Sequence, residues 1–107
     1  MKKEEIKKMF VVTLINFDDD GNYEVDNWIA NTRREARNIV EQTIREIKMD
    51  MDWKEYAEER GYIFTKWWFN PNSCCLCLGP YGKDDGMGYC MNEYKYKWHF
   101  TINESLN

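Results

Sequence analysis

The sequence predicts an α+β fold: a mostly antiparallel sheet of four or five strands with one long helix packed on one face. Two stretches rich in β-branched and aromatic residues flank a central segment, in which apolar residues recur every three or four positions. Turn-forming residues separate these stretches. The predicted order is β-β-α-(α)-β-(β)-β in a single domain over residues 1–107, with residues 1–8 frayed.

The N-terminal part predicts a β-hairpin. Residues 10–17 (FVVTLINF) are apolar and β-branched, DDDGN is typical of a turn, and residues 23–29 (YEVDNWI) alternate. Asn16, Asp18 and Asp20 with Gly21 also match the first half of a calcium-binding loop. Asn27, however, stands where such a loop needs a bidentate glutamate, which favours the turn.

The central segment predicts the long helix, which runs to about Lys48. Thr32 and Glu35 have capping-box spacing, in which each side chain accepts a backbone hydrogen bond at the helix start. A single apolar stripe then follows at helical spacing. A short second helix (WKEYAEER) is expected to begin at a cap formed by Asp52 and to end at Gly61.

The C-terminal part predicts three more strands, at residues 62–69 (YIFTKWWF), 74–78 and 94–102 (YKYKWHFTI), with a glycine-rich loop between the last two. Two helices cover only one side of such a sheet, so the other side, the open face, is expected to meet solvent or a partner. The pattern assigns seven side chains to it. They are Tyr62, Phe64, Lys66, Trp68, Lys95, Lys97 and His99. The alternative is that Phe64 and Trp68 pack under the cysteine-containing loop in a second small core.

Composition limits the function classes. The chain has 107 residues, a net charge of −4 and 16% aromatic residues. An acidic balance disfavours a dedicated duplex-DNA binder, which needs an excess of Lys and Arg. The N-terminal stretch lacks a signal-peptide pattern, because Glu4 and Glu5 interrupt its basic region, and no apolar run is long enough to span a bilayer. A cytoplasmic location with reduced thiols is therefore expected.

The four cysteines raise the question of a metal. Cys74 and Cys77 have C-x-x-C spacing, and Cys90 with His99 would complete a tetrahedral zinc site. The second pair has unusual spacing and His99 lies among lysines, so small buried cysteines and no cofactor are the preferred interpretation. A nucleophile pair of His99 with Cys77 or Cys90 lacks a recognisable pattern, and no enzymatic activity is expected.

Three functions remain. The leading hypothesis is a protein–protein interaction module that docks on a larger protein or nucleoprotein. By size and composition alone, it is comparable with phage or mobile-element inhibitors of host enzymes, such as anti-CRISPR proteins. The alternatives are a single-stranded nucleic-acid binder, with an aromatic and lysine platform, and a zinc-stabilised module. The expected partner-binding residues are Phe64, Lys66, Trp68, Tyr81, Lys95, Lys97, His99, Asp18, Asp19 and Asp20.

Overall fold

The structure, a computed structural model, describes residues 8–18, 20–80 and 94–106, except for the side chain of Leu106. The elements in this part of the chain are β1 (Lys8–Asp18), β2 (Tyr23–Ala30), α1 (Arg33–Met49), α2 (Met51–Arg60), β3 (Ile63–Asn70), β4 (Ser73–Gly79) and β5 (Tyr96–Leu106). The strands form one antiparallel sheet in the order β2-β1-β5-β4-β3. The α+β class and the predicted order of elements are confirmed.

The turn between β1 and β2 is built around Asp18. Its carboxylate accepts hydrogen bonds from the backbone N–H groups of Asp20 (3.0 Å) and Asn22 (2.9 Å) and from the Asn22 side chain. These bonds, led by the one from the Asn22 side chain, hold the pKa of Asp18 below its usual range. Gly21 supplies the positive φ of 89° that closes the turn. The predicted hairpin is therefore present, and its first aspartate is part of the turn.

The two helices meet at Asp50. Thr32 caps α1 by accepting from the backbone N–H of Glu35 (3.0 Å), and the Glu35 carboxylate accepts from the N–H of Asn31. Asp50, rather than the predicted Asp52, caps α2, because its carboxylate lies within reach of the N–H groups of Asp52 and Trp53. The second helix therefore begins at Met51, two residues before the predicted WKEYAEER segment. Gly61 ends α2 in the left-handed conformation, as predicted.

Both helices pack on the same side of the sheet. The core joins Ala36, Val40 and Ile44 of α1 and Ala57 of α2 to even-numbered strand residues alone. These strand residues are Phe10, Val12, Leu14, Ala30, Cys74, Leu76, Leu78, Trp98, Phe100 and Ile102. Because the registers match even with even across neighbouring strands, except at the end of β3 where Asn70 lies opposite Ser73, the odd-numbered residues of the five strands point the other way. We call the side formed by these odd-numbered residues the open face.

The prediction of which β3 side chains lie on the open face is wrong. Lys66 Nζ donates to Glu41 of α1 (2.8 Å), and so does Trp68 Nε1 (2.7 Å), while the Phe64 ring lies 6.3 Å from that of Trp98 in the core. All three side chains therefore face the helices. The strand carries aromatic residues on both sides, so alternation alone does not distinguish them. Pairing with β4 decides, and it places the other aromatics of β3 on the open face.

For β5 the predicted facing agrees with the structure. Trp98 and Phe100 are buried beneath the helices, whereas Lys97 and His99 lie on the open face. None of the helices among the described residues is long and apolar enough to cross a membrane.

Candidate protein-binding face

The open face carries almost no charge. Among the odd-numbered residues of the five strands, Lys97 alone has a side chain with a formal charge. The even-numbered positions, by contrast, carry both signs, for example in Glu24, Asp26 and Lys66. A surface with one cation across five strands is unusual in a chain of which 32% is charged.

Large apolar side chains are exposed on the open face at both edges of the sheet. Tyr23, Val25 and Ile29 on β2 are 66%, 48% and 63% exposed, and Ile63 and Phe69 on β3 are 48% and 37% exposed. These five account for most of the exposed large hydrophobic residues in the described part of the chain. The other two are Met49 and Met51, at the junction of the helices. Three strands separate β2 from β3, so these side chains form two apolar margins of one face.

The centre of the open face is a shallow aromatic floor over β4. Cys75 and Cys77 are buried there, at 0% and 2% exposure. The Phe69 ring stacks on His99, with centroids 6.4 Å apart, and packs edge-on against Trp67 at 5.1 Å. The indole Nε1 of Trp67 is buried and has no hydrogen-bond acceptor among the described residues. The centre of the open face therefore consists of packed aromatic rings between two exposed apolar margins.

His99 adds no charge to this surface at neutral pH. Burial, and after it the neighbouring Lys97 cation, holds the pKa of His99 below its usual range. Its Nδ1 atom lies 3.5 Å from Sγ of Cys75, directly across the β4–β5 ladder. Cys75, rather than the Cys77 or Cys90 considered from the sequence, is thus the cysteine next to His99. A fully buried residue is not placed to attack a substrate, so the geometry gives this pair a packing role.

The structure does not bring together Cys74 and Cys77, two of the zinc ligands considered from the sequence. Cys74 lies on the helix side of β4 and Cys77 on the open face, because residues three apart on a strand point in opposite directions. Burial, and after it the Glu41 carboxylate, raises the pKa of Cys74 to about 12, so this thiol stays protonated. Cys90 lies outside the described residues. Within those residues, no cluster of three or more His, Cys, Asp and Glu side chains is arranged to hold a metal ion.

The remaining predicted site residues are dispersed. Lys95 precedes β5, and its backbone N–H donates a hydrogen bond to the carbonyl of Leu78 (2.7 Å). Asp18 lies in the hairpin turn and Asp20 is exposed beside it, while Asp19 and Tyr81 lie outside the described residues. The predicted nucleic-acid platform is divided, because its Phe64, Lys66 and Trp68 lie beneath the helices while Lys97 lies on the other side.

Sequence reasoning did not single out the residues that make the open face apolar. They are Tyr23, Val25, Ile29, Ile63, Trp67 and Phe69. The available signal was the alternation in β2, where three apolar residues interleave with Glu24 and Asp26. Alternation indicates that the two faces of a strand differ, and the apolar face is then normally expected in the core. Only the register with β1 shows that the apolar side of β2 faces away from the helices.

The site is thus a nearly uncharged sheet face with apolar margins and an aromatic centre. Models of known protein families, curated protein sequences and solved structures contain no match to this chain.

Proposed function

We propose that this protein is a protein-binding module and that the open face is its binding surface. The observation that carries the proposal is the distribution of charge: of all the strand residues on this face, Lys97 alone is charged, while five large apolar side chains are exposed there. Burying such a surface against a partner removes apolar area from water at little cost in desolvated charge.

The size of the open face is close to that of one protein contact. Five strands spaced by about 4.8 Å, with about eight residues each at about 3.3 Å per residue, give a face of roughly 24 by 26 Å, or about 620 Å². A standard protein interface takes about 800 Å² from each partner, so a partner would cover the whole face and part of its rim. The complementary surface should be apolar.

The finer form of the proposal is that the protein inhibits a larger host enzyme or nucleoprotein by covering part of its surface. Small size and acidic composition support this form. Glu24 and Asp26 are exposed on the helix side of β2, next to the apolar margin, where they would meet basic groups at the rim of a nucleic-acid-binding partner.

Ionic strength separates protein binding from single-strand nucleic-acid binding. Contact through an apolar face depends weakly on salt, whereas neutralising phosphates with lysines releases counterions and gives a steep salt dependence. One lysine on the open face favours the first behaviour.

The test is affinity capture from cells that carry the gene, at low and at high salt, with partners identified by mass spectrometry. Ile63→Glu places a charge on the open face at β3. Met51→Glu is the matched control, because it also replaces an exposed hydrophobic residue by Glu, but on α2, where an acid in the first turn is favourable. We expect a partner that survives high salt, is lost with Ile63→Glu and is retained with Met51→Glu.

Two results would contradict the proposal. One is a partner lost equally in both variants. The other is a bound nucleic acid that dissociates steeply with added salt and ignores Ile63→Glu.

A further inference from the structure

We propose that β2 pairs with β2 of a second copy of this chain, antiparallel about a two-fold axis through Asn27. The two sheets then join into one of ten strands. This inference goes beyond the proposed function, because it uses the edge of the sheet, whereas partner binding uses the open face.

The two edges of the sheet differ. The β3 edge contains Lys66, a register shift between Trp68 and Asn70, and Pro71 directly after the strand, all of which discourage pairing with a further strand. The β2 edge has no lysine, proline or bulge, and its pairing with β1 is unbroken over the whole strand. No described strand covers its outer side. An open edge of this kind is a template for another strand.

The hairpin shows which backbone groups β2 offers. The N–H of Asp18 donates to the carbonyl of Asn22 at 3.0 Å. Hydrogen-bonded pairs recur at every second residue of an antiparallel ladder, so the even-numbered residues of β2 direct their N–H and C=O groups toward β1. The odd-numbered residues direct theirs outward. Asn27, in the middle, therefore has an outward N–H and an outward C=O.

Charge eliminates two of the central registers. In a two-fold antiparallel pair, matching faces require the axis to pass through a residue rather than between two residues. An axis through Asp26 puts this carboxylate directly opposite its own copy. An axis through Val25 puts Glu24 opposite Asp26 of the second copy. Like charges directly opposite one another destabilise a strand pair.

An axis through Asn27 avoids both conflicts. The two copies of Asn27 exchange N–H···O=C bonds, Val25 lies opposite Ile29 of the second copy, and Asp26 lies opposite Trp28. Of the registers without directly opposed carboxylates, this one gives the longest overlap, residues 24–30.

Both sides of the proposed contact are suited to it. On the open face, Val25 and Ile29 of the two copies join the two apolar margins into one. On the helix side, Trp28 lines a groove of about 670 Å³ together with Ile39, Thr43 and five polar or charged side chains of α1. Diagonal neighbours on paired strands are about 7–8 Å apart, within reach of aromatic rings, so each Trp28 ring meets its copy at this groove.

The first test compares the mass of the wild type with that of Asn27→Pro by sedimentation over a range of micromolar concentrations. Proline at position 27 removes the outward N–H and the side-chain hydrogen bond that Asn27 Oδ1 accepts from the Thr13 hydroxyl (2.9 Å), and it leaves the backbone hydrogen bonds between β2 and β1 intact. We expect the wild type to shift to twice the chain mass as concentration rises, and Asn27→Pro to remain monomeric with the wild-type far-UV circular dichroism spectrum. A monomeric wild type would overturn the proposal, as would a folded Asn27→Pro that still dimerises.

The second test reads the register and does not need Asn27→Pro to fold. In Asn27→Cys the two new cysteines have Cα atoms about 5.5 Å apart, within disulfide range. In Val25→Cys, the matched control, the two copies are four residues out of step, about 13 Å along the strand, which is too far. Peptide mass spectrometry after mild oxidation should find a 27–27 disulfide in the first variant and no 25–25 disulfide in the second. Equal cross-linking in both variants, or none at position 27, would overturn the register.

The two proposals fail separately. Ile63→Glu changes β3, at the opposite edge of the sheet, and should leave dimerisation intact. Asn27→Pro changes one uncharged residue of the open face and leaves its five exposed large apolar side chains unchanged.

Discussion

Glu41 is the residue that joins α1 to the far side of the sheet. Its carboxylate accepts from Lys66 Nζ and Trp68 Nε1 on β3, while the Arg37 guanidinium lies 4.1 Å above the Trp68 ring. Burial alone would raise the pKa of Glu41, but the hydrogen bonds from Lys66 and Trp68 outweigh it and hold the pKa below its usual range. One side chain of α1 therefore holds two side chains of β3 whose direction is set by the pairing of β3 with β4.

Replacing this carboxylate should cost stability in a pH-dependent way. We expect Glu41→Gln to lower the free energy of unfolding by about 1 kcal/mol at neutral pH, since the group is partly exposed and loses one charge-assisted hydrogen bond. Because the folded-state pKa lies below the ordinary value of 4.5, the contribution is present above that pH and is lost as pH falls through the folded-state pKa. Urea unfolding at neutral pH, and at a pH below the folded-state pKa, measures the difference.

The matched control is Glu58→Gln, which removes an exposed carboxylate of α2. It should change the unfolding free energy little at either pH. If the loss in Glu41→Gln were as large in acid as at neutral pH, the ionised carboxylate would not be its source.

At the scale of single elements, the start of α1 follows directly from local sequence. The Thr32 hydroxyl accepts a hydrogen bond from the backbone N–H of Glu35, as the capping-box spacing predicts. The Glu35 carboxylate accepts from the backbone N–H of Asn31, whereas in the standard capping box it would accept from that of Thr32. Such local features need only a few consecutive residues, so they were predictable without knowledge of the sheet.

Removing the cap tests this element. We expect Thr32→Ala to lower the free energy of unfolding by about 1 kcal/mol, because the N–H of Glu35 loses its acceptor, and Thr32→Ser to preserve most of the stability. Chemical denaturation of the two variants measures the effect. Equal losses in both would mean that the threonine methyl group, and not the hydroxyl oxygen, carries the contribution.

The strand β2 shows where local reasoning ends. Its apolar residues Tyr23, Val25 and Ile29 alternate with polar ones, a pattern that normally places the apolar set in the core. Here the set is exposed, and the core instead receives Ala30 with half-buried Trp28. The strand length was predictable, but the direction of its apolar side depends on the pairing with β1.

At the scale of the whole molecule, one side of the sheet is packed under α1 and α2, and none of the described helices covers the other side. The side chains of Leu76, Phe100 and Val12 are fully buried on the helix side, at the centre of the sheet. The side without helices keeps exposed Ile29 and Ile63. Stability and binding should therefore be separable by mutation.

Two substitutions compare the sides. Leu76→Ala should lower the free energy of unfolding by about 2–5 kcal/mol, because it leaves a cavity under the helices. Ile29→Thr keeps a β-branched residue at an exposed position and should change the free energy of unfolding by about 0.5 kcal/mol or less. Both are measured by denaturant unfolding of the monomer at low concentration. A large loss in Ile29→Thr would mean that the open face is already buried in the isolated chain.

The sequence by itself determined the α+β class, the order of the elements, the cap of α1, the end of α2 at Gly61, the β1–β2 turn, and the facing of β5. Each of these depends on residues a few positions apart, or on a strand with one clearly apolar side. Only the tertiary structure decided which sides of β2 and β3 meet the helices, and that Cys74 and Cys77 lie on opposite faces. Those outcomes depend on strand register and on contacts such as that of Glu41 with Trp68, which join residues far apart in the chain.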